Sequence, residues 1–257
     1  MGGKQNFDFY ADQTATIWAM LEPATHGIGT LAKEDATALI ARQLGTVNSR
    51  RVSLAVGLWG EPGIGKTHAA LTILERLSCH HLSLHATTAN ARIASALPRA
   101  KTLPTWANAQ LDLLVRNESL ETQTLAQTLA ATLAASAPFV LHLEDVHEAD
   151  AERLELIESL ARALTRTRGV GLLATSRALL PQPFLNHRLE PLSRTEMVML
   201  IDGELKGNAP RDGLDWVFER TRGNPLSSSH VTCDGRASCG RTANTGDGER
   251  RLRALYQ

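Results

Sequence analysis

The chain has 257 residues, of which 43% are hydrophobic and 21% are charged, and its 27 basic side chains balance its 27 acidic ones. This composition predicts a globular protein and gives no support to a surface dedicated to nucleic acid or to a membrane. The longest apolar region, LAQTLAATLAASAPFVLHL, is interrupted by Thr, Ser, Pro and His, whereas a membrane span needs about 20 consecutive apolar residues. Three cysteines, Cys79, Cys233 and Cys239, are too few for a disulfide framework, so we expect a cytoplasmic protein without a membrane partner.

Apolar runs of strand length alternate with apolar patterns of helical period from about residue 51 onward. The strands are predicted at 52–58, 80–86, 139–145, 170–177 and 187–189. Helices are predicted at 67–77, at two or three places within 89–137, and after Asp150, which is expected to cap a helix that stops at Gly169. Strands separated by helices are typical of an α/β fold, so we predict a mostly parallel five-stranded sheet flanked by helices.

The chain becomes wholly helical after Pro191. Ser193 and Glu196 have the spacing of a capping box, and a second helix is predicted over 212–221. Together these helices predict a small helical lid. The predicted domains are an N-terminal helical leader at 1–45, a core at 46–192, a partial lid at 193–226 and an irregular, disordered tail at 227–257.

The glycine-rich stretch GEPGIGKT lies between the first strand and the first helix of the core, and it matches the pattern G-x-x-x-x-G-K-[ST]. In such a P-loop the backbone N–H groups face a nucleotide phosphate, Lys66 reaches the β/γ oxygens and Thr67 offers a hydroxyl to Mg²⁺. The alternative, an ordinary glycine turn, does not require a strand before it and a helix after it. The residues expected to bind the nucleotide are Gly60, Glu61, Pro62, Gly63, Ile64, Gly65, Lys66, Thr67 and His68.

An acidic pair, Glu144 and Asp145, closes the predicted strand FVLHLED. Carboxylates at the end of a strand near a P-loop are expected to hold Mg²⁺ and to polarise an attacking water. One of the two carboxylates can hold the metal, together with the Thr67 hydroxyl, while the other polarises the water. The alternative is an acidic cluster at a helix start, because Glu148 and Asp150 follow closely.

Five motifs, GEPGIGKT, LEDVHEAD, LLATSR, LEPLSRTE and RTRGNPL, occur in this order over residues 31–226. They resemble the ATPase core of the STAND class, the signal-transduction relatives of AAA+ ATPases found in large bacterial transcriptional activators. The resemblance implies ATP and Mg²⁺ as cofactors and a slow ATPase that acts as a nucleotide-dependent regulatory switch. It also implies that Arg177 senses the γ-phosphate, that the turn Gly223 to Pro225 lies near the adenine, and that Pro225 contacts the nucleotide. By the same resemblance, Glu144 stands where the family usually has the Asp that associates with the metal, and Asp145 stands where the family has its second carboxylate. His147 lies in the family's H-x-x-D segment.

Two other functions stay open. One is an ATP-binding module that does not hydrolyse ATP, or a remnant of a longer regulator, and the other is an AAA+ motor or initiator-like protein acting on DNA. The sequence shows neither a recognisable helix-turn-helix nor a tetratricopeptide array. Apart from ATP, the candidate partners are a second copy of the chain or regulator domains in trans.

The string after Leu226 is rich in Ser, Arg, Gly, Thr and Cys, and it has neither strand nor helix period. We expect residues 227–248 to be disordered. The resembled family continues with helices at this point, so we interpret the string as an off-frame continuation of a regulator truncated after GNPL.

Overall fold

Five strands form a single sheet in which every neighbouring pair is parallel. In the computed structural model, which describes residues 33–204 and 218–225, the strands are β1 (Leu54–Trp59), β2 (His80–His85), β3 (Phe139–Glu144), β4 (Val170–Ser176) and β5 (Leu185–Arg188). Their order across the sheet is β2-β3-β4-β1-β5. The predicted α/β fold with a parallel five-stranded sheet is confirmed.

The helices lie between the strands as the sequence pattern predicts. They are α1 (Lys33–Ser49), α2 (Lys66–Glu75), α3 (Asn90–Ala96), α4 (Thr105–Val115), α5 (Thr122–Ala135), α6 (Ala151–Leu164) and α7 (Arg194–Glu204). Helix α2 connects β1 to β2, α3 to α5 connect β2 to β3, and α6 connects β3 to β4. Such helical crossovers allow successive strands to run in parallel. Within the described ranges, none of the helices has the length and apolar character that crossing a membrane requires.

The first strand begins at Leu54, after the start of the predicted alternation at Val52. Arg51 has a φ of 52°, which interrupts extended backbone just before it. Ser53 then pairs through its side chain, because its Oγ accepts the backbone N–H of Val170 at 3.0 Å. The last strand begins at Leu185, before its predicted start at residue 187, because Leu185 pairs with Val56 of β1.

Alternate residues of the central strand β4 face two separate cores. Leu172 lies in a cluster with Leu141 of β3 and apolar residues of α3 to α6. Its neighbour Leu173 lies in the other cluster, with Ile40 of α1 and Ile73 of α2. Every residue of β4 is buried. A strand covered on both faces requires a continuous run without charges, and VGLLATS has that composition.

The predicted capping box is confirmed at the start of α7. The backbone N–H of Ser193 donates to Glu196 Oε2 at 2.7 Å, and the N–H of Glu196 donates to Ser193 Oγ at 3.2 Å. Of the second predicted lid helix, residues 218–221 are helical, and the remainder lies outside the described residues, as do the leader residues 1–32 and the tail. Helix α1 continues through the boundary predicted after residue 45, and the domain division stays a prediction.

Asp150 caps α6 as predicted, because its Oδ1 accepts the backbone N–H of Arg153 at 2.8 Å. Replacing Asp150 with Ala removes this acceptor, and we expect the free energy of unfolding to fall by about 1 kcal/mol. Urea denaturation followed by circular dichroism measures the change. Asp150→Ser is the control, since its hydroxyl can accept the same hydrogen bond. Equal unfolding midpoints for the wild type and the Ala variant would contradict the capping role.

Candidate nucleotide-binding site

The motifs predicted from the sequence lie at one edge of the sheet. Strand β4 pairs in parallel with both β1 and β3, so the carboxyl ends of these three strands meet there. The glycine loop follows β1, Glu144 and Asp145 lie at the end of β3, and Arg177 follows β4. Strand pairing therefore brings together the three motifs, which are far apart in the sequence.

The glycine loop turns from β1 into α2 through two left-handed glycines. Gly63 has a φ of 76°, and Gly65, the residue that precedes α2, has φ 94° and ψ 30°. Glycine adopts these angles without the steric cost that a Cβ brings. Within the described residues, no side chain caps the start of α2. The N–H groups of its first turn therefore remain available to an anion, as a phosphate-binding helix start requires.

Lys66 is the first residue of α2 and is almost fully buried, with 8% of its surface exposed. Its Nζ donates to the carbonyl oxygens of Gly60 at 3.0 Å and Glu61 at 2.9 Å. Burial lowers the pKa of Lys66, nearby Asp145 raises it and Arg177 lowers it. The ammonium group is thus held on the inner side of the loop, within the electrostatic reach of both other motifs.

The side chains of the other loop residues are either exposed to solvent or packed in the core. Glu61, Pro62, Thr67 and His68 are exposed, whereas the Ile64 side chain is 1% exposed and packs in the core cluster of α1, α2 and β1. Ile64 can therefore contribute to a nucleotide site through its backbone alone. Gly60 carries a further constraint that the motif does not reveal: a Cβ there would lie 2.9 Å from the carbonyl oxygen of Leu189, which follows β5.

The acidic pair ends β3 with an unusual backbone. Asp145 has φ 51° and ψ 50°, in the left-handed region that residues other than glycine rarely adopt. Its N–H donates to Thr175 Oγ1 at 3.1 Å, and Thr175 is fully buried in β4. A hydroxyl of the neighbouring strand therefore holds the backbone that presents this carboxylate. Glu144, the last residue of β3, is half-buried.

The two explanations of the acidic residues can be separated by their contacts. Asp150 has the structural role of a helix cap. Asp145 precedes a short 3₁₀ turn, Val146–Glu148, but among the described residues its side chain makes no capping hydrogen bond. Its carboxylate instead lies 4.0 Å from His85 Nε2 and 3.8 Å from His147 Nδ1. This arrangement favours a chemical role for Asp145 over a helix-start cluster.

Arg177 and His147 complete the electrostatic surroundings of the acidic pair. Arg177 is exposed immediately after β4. Burial is the main cause that lowers the pKa of His147, and the charge of Arg177 lowers it further, while Asp145 acts in the opposite direction. His147 is therefore neutral near pH 7, and Lys66 and Arg177 are the cations that act on this region.

The Gly-Asn-Pro turn of the lid contacts the glycine loop directly. Asn224 Nδ2 donates to the Pro62 carbonyl at 2.9 Å. The preceding Gly223, with a φ of 80°, accepts the N–H of Leu192 at 2.8 Å, and a Cβ at Gly223 would lie 2.2 Å from the Leu192 carbonyl oxygen. Asn224 is a member of the motif that the predicted binding set omits. The expected contact of Pro225 with a nucleotide stays a prediction.

Sequence reasoning misses His85 and Thr175, although both lie beside the acidic pair. His85 is the last residue of β2 and is paired with Glu144 in the β2–β3 ladder. Thr175 lies in β4, the strand on the other side of β3. The strands themselves are predicted, so the missing information is their order across the sheet. Once that order is known, the residues at the carboxyl ends of β2 and β4, the neighbours of β3, become candidates for the site.

Solved structures share this architecture at low sequence identity. A chain of Drosophila ORC bound to DNA is 11% identical, with a TM-score of 0.55 over 90% of this chain and 63% of that one. The Aeropyrum pernix ORC1 protein in complex with DNA is 15% identical, with a TM-score of 0.56 over 93% of this chain and 69% of that one. A STAND protein with a tetratricopeptide repeat sensor from Pyrococcus horikoshii is 14% identical, with a TM-score of 0.51 over 84% of this chain and 31% of that one.

These likenesses concern the fold alone, and the chain spans less than two thirds of the Drosophila and Pyrococcus chains. No curated protein sequence matches it. A family match carries the assignment further, because residues 31–173, more than half of the chain, match the family described as AAA ATPase domain. The chain therefore belongs to the AAA ATPase domain family, and its fold is similar to that of the ORC and STAND structures.

Proposed function

We propose that this chain binds ATP with Mg²⁺, hydrolyses it slowly and works as a nucleotide-dependent switch of the regulatory STAND type. The observation that carries the proposal is the position of Lys66. Its ammonium is buried in the glycine loop, its pKa responds to Asp145 and Arg177, and the same loop is bonded to the lid through Asn224. One loop thus connects the phosphate-binding, catalytic and lid elements.

The donor groups at this edge fit a phosphate chain with a divalent cation. The uncapped start of α2 and the buried Lys66 offer N–H donors and a positive charge. The exposed hydroxyl of Thr67 and the carboxylate of Glu144 are oxygen ligands of the kind that Mg²⁺ prefers. When bound, Mg²⁺ supplies neutralisation of the phosphate charge.

Hydrolysis requires a group that orients water, and Asp145 is placed for this role. Its side chain is partly exposed, and its backbone is held by Thr175. The Asp145 carboxylate is therefore able to accept a proton from an attacking water. Arg177 lies after the adjacent strand, where its charge stabilises negative charge that develops on the transferred phosphoryl group.

The switch follows from the contact between lid and loop. Asn224 donates to Pro62, which lies four residues before Lys66 in the same glycine loop. A change of loop conformation on binding or loss of the γ-phosphate therefore acts on the lid turn without an intermediate element. The proposed output is a change in lid position.

A second candidate function is an initiator-like protein acting on DNA. The fold likeness to two ORC proteins in DNA complexes favours it. An anisotropy titration with a fluorescent DNA duplex distinguishes the two functions. An initiator-like protein should bind the duplex in the presence of ATP. A regulatory switch should release phosphate without any dependence on added DNA.

Lys66→Ala tests the nucleotide site. Loss of the ammonium removes the cation that faces the loop interior, and we expect the affinity for ATP to fall at least about tenfold, or about 1.4 kcal/mol. Titration with a fluorescent ATP analogue measures it. The matched control is Lys101→Ala, since Lys101 is exposed and far from the loop in the sequence. Unchanged affinity in Lys66→Ala would remove the central claim.

Asp145→Asn separates binding from turnover. The amide keeps the shape of the side chain but cannot accept a proton from water, so ATP should still bind while phosphate release falls about 10²-fold or more. Asp112→Asn is the control, because Asp112 is paired with Arg99 on the surface. Equal rates for wild type and Asp145→Asn would show that another group orients the water. If the wild type shows no Mg²⁺-dependent phosphate release, the result favours an ATP-binding module that does not hydrolyse ATP.

Thr175→Val tests whether the hydroxyl positions Asp145. Valine has nearly the same shape as threonine but leaves the Asp145 N–H without its acceptor, and we expect hydrolysis to fall about tenfold with little change in ATP affinity. Thr175→Ser keeps the acceptor and should restore most of the rate. If the Val and Ser variants hydrolyse ATP equally, the hydrogen bond has no catalytic importance.

A further inference from the structure

Three potential metal ligands gather at the ends of β2 and β3. His85 Nε2 lies 3.5 Å from Glu148 Oε2 and 4.0 Å from Asp145 Oδ2, and the three ligand atoms lie within 4.8 Å of one another. Asp145 comes from the turn after β3, and Glu148 ends the 3₁₀ turn that follows. Two elements distant in sequence therefore supply one nitrogen and two oxygen ligands.

The spacing of these atoms is close to that of ligands around a small metal ion. With bonds of about 2.0–2.2 Å in a tetrahedral site, neighbouring ligand atoms are about 3.4 Å apart. The separations of 3.5 and 4.0 Å therefore need only small side-chain movements to meet this value. They are too long for direct hydrogen bonds between the imidazole and either carboxylate.

The other ring nitrogen of His85 already has a partner. Its Nδ1 lies 2.8 Å from Thr87 Oγ1, two residues further along the chain. The backbone N–H of Thr87 also approaches this nitrogen, at 3.4 Å, so Thr87 holds the ring through two groups. In the tautomer that carries its proton on Nδ1 and donates it to the Thr87 hydroxyl, Nε2 presents its lone pair toward Asp145 and Glu148. A hydrogen bond on the distal nitrogen is the usual support of a metal-binding histidine, because it fixes both the tautomer and the ring.

A second imidazole lies near the other carboxylate oxygen of Asp145. His147 Nδ1 lies 3.8 Å from Asp145 Oδ1. Both ring nitrogens of His147 are buried, and among the described residues they have no hydrogen-bond partner. A buried polar atom without a partner costs about 1–3 kcal/mol, so the His147 ring carries a cost that no hydrogen bond from the described residues offsets.

We infer that His85, Asp145 and Glu148 form a binding site for a transition-metal ion, with Zn²⁺ as the best fit. Mg²⁺ prefers oxygen ligands alone, whereas zinc accepts both imidazole nitrogen and carboxylate oxygen. Its ligands differ from Thr67 and Glu144, the residues proposed to hold magnesium. Its consequence for turnover rests on the proposed function: a metal on Asp145 Oδ2 withdraws the carboxylate that orients water, so Zn²⁺ inhibits hydrolysis.

Zinc binding is tested on the nucleotide-free full chain by calorimetric titration with ZnCl₂. The background protein carries Cys79→Ser, Cys233→Ser and Cys239→Ser, because thiols elsewhere in the sequence would also bind Zn²⁺. We expect His85→Ala to weaken the strongest binding event at least about tenfold, and Glu148→Gln to weaken it in the same direction. His80→Ala is the matched control, an exposed histidine at the opposite end of the same strand.

Circular dichroism and the affinity for the fluorescent ATP analogue verify that each variant is folded. The site is excluded if the background protein binds no Zn²⁺ more tightly than about 100 μM, or if His85→Ala binds as the background does. Equal losses in His85→Ala and His80→Ala would place the ion on β2 away from Asp145, and would also exclude it.

The effect on turnover is measured separately, at saturating ATP and Mg²⁺. Zn²⁺ should inhibit phosphate release by the background protein at the concentrations that fill the site, and His85→Ala should need at least about tenfold more Zn²⁺. Equal inhibition of the two proteins would show that Zn²⁺ acts by displacing Mg²⁺, and would overturn the regulatory consequence. If the protein hydrolyses no ATP, the proposed catalytic function fails while the calorimetric titration still decides the metal site.

Discussion

Parallel pairing of β4 with both β1 and β3 is the constraint on which the site depends. It aligns the ends of three strands, so that a loop, a carboxylate pair and an arginine from distant parts of the sequence share one edge. The pairing is secured by burial, because β4 is covered on both faces by separate apolar clusters. The register of β4 is fixed on both faces, since a shift by one residue would exchange its two sets of side chains. The geometry of the site is therefore a product of the core.

A buried cation creates the second requirement. Removing an ammonium group from water is costly unless it gains hydrogen bonds and nearby negative charge. Lys66 obtains two carbonyl oxygens from its own loop, while Asp145 favours its charged form and Arg177 opposes it. The left-handed Gly63 and Gly65 shape the loop that supplies these carbonyls. The loop is thus organised around the lysine.

Local sequence patterns predict the elements and the glycine loop because these depend on short-range spacing. The run of apolar residues marks β4, and Asp150 marks the start of α6. The same reasoning cannot find His85 or Thr175, since their proximity to Asp145 depends on which strands are neighbours. It also places Ile64 in the nucleotide site, although that side chain packs in the core. The contact between Asn224 and Pro62 joins residues 162 positions apart, and no local pattern contains it.

The hydrogen bond from Leu192 to Gly223 has a consequence for how such a protein can vary in evolution. It joins Leu192, just before the predicted lid, to Gly223 in the turn of that lid, where a Cβ would collide with the Leu192 carbonyl oxygen. Because this bond holds the two residues together, the length of the chain between them has little effect on their relative positions. We therefore expect changes in that length to be tolerated more easily than a side chain at position 223.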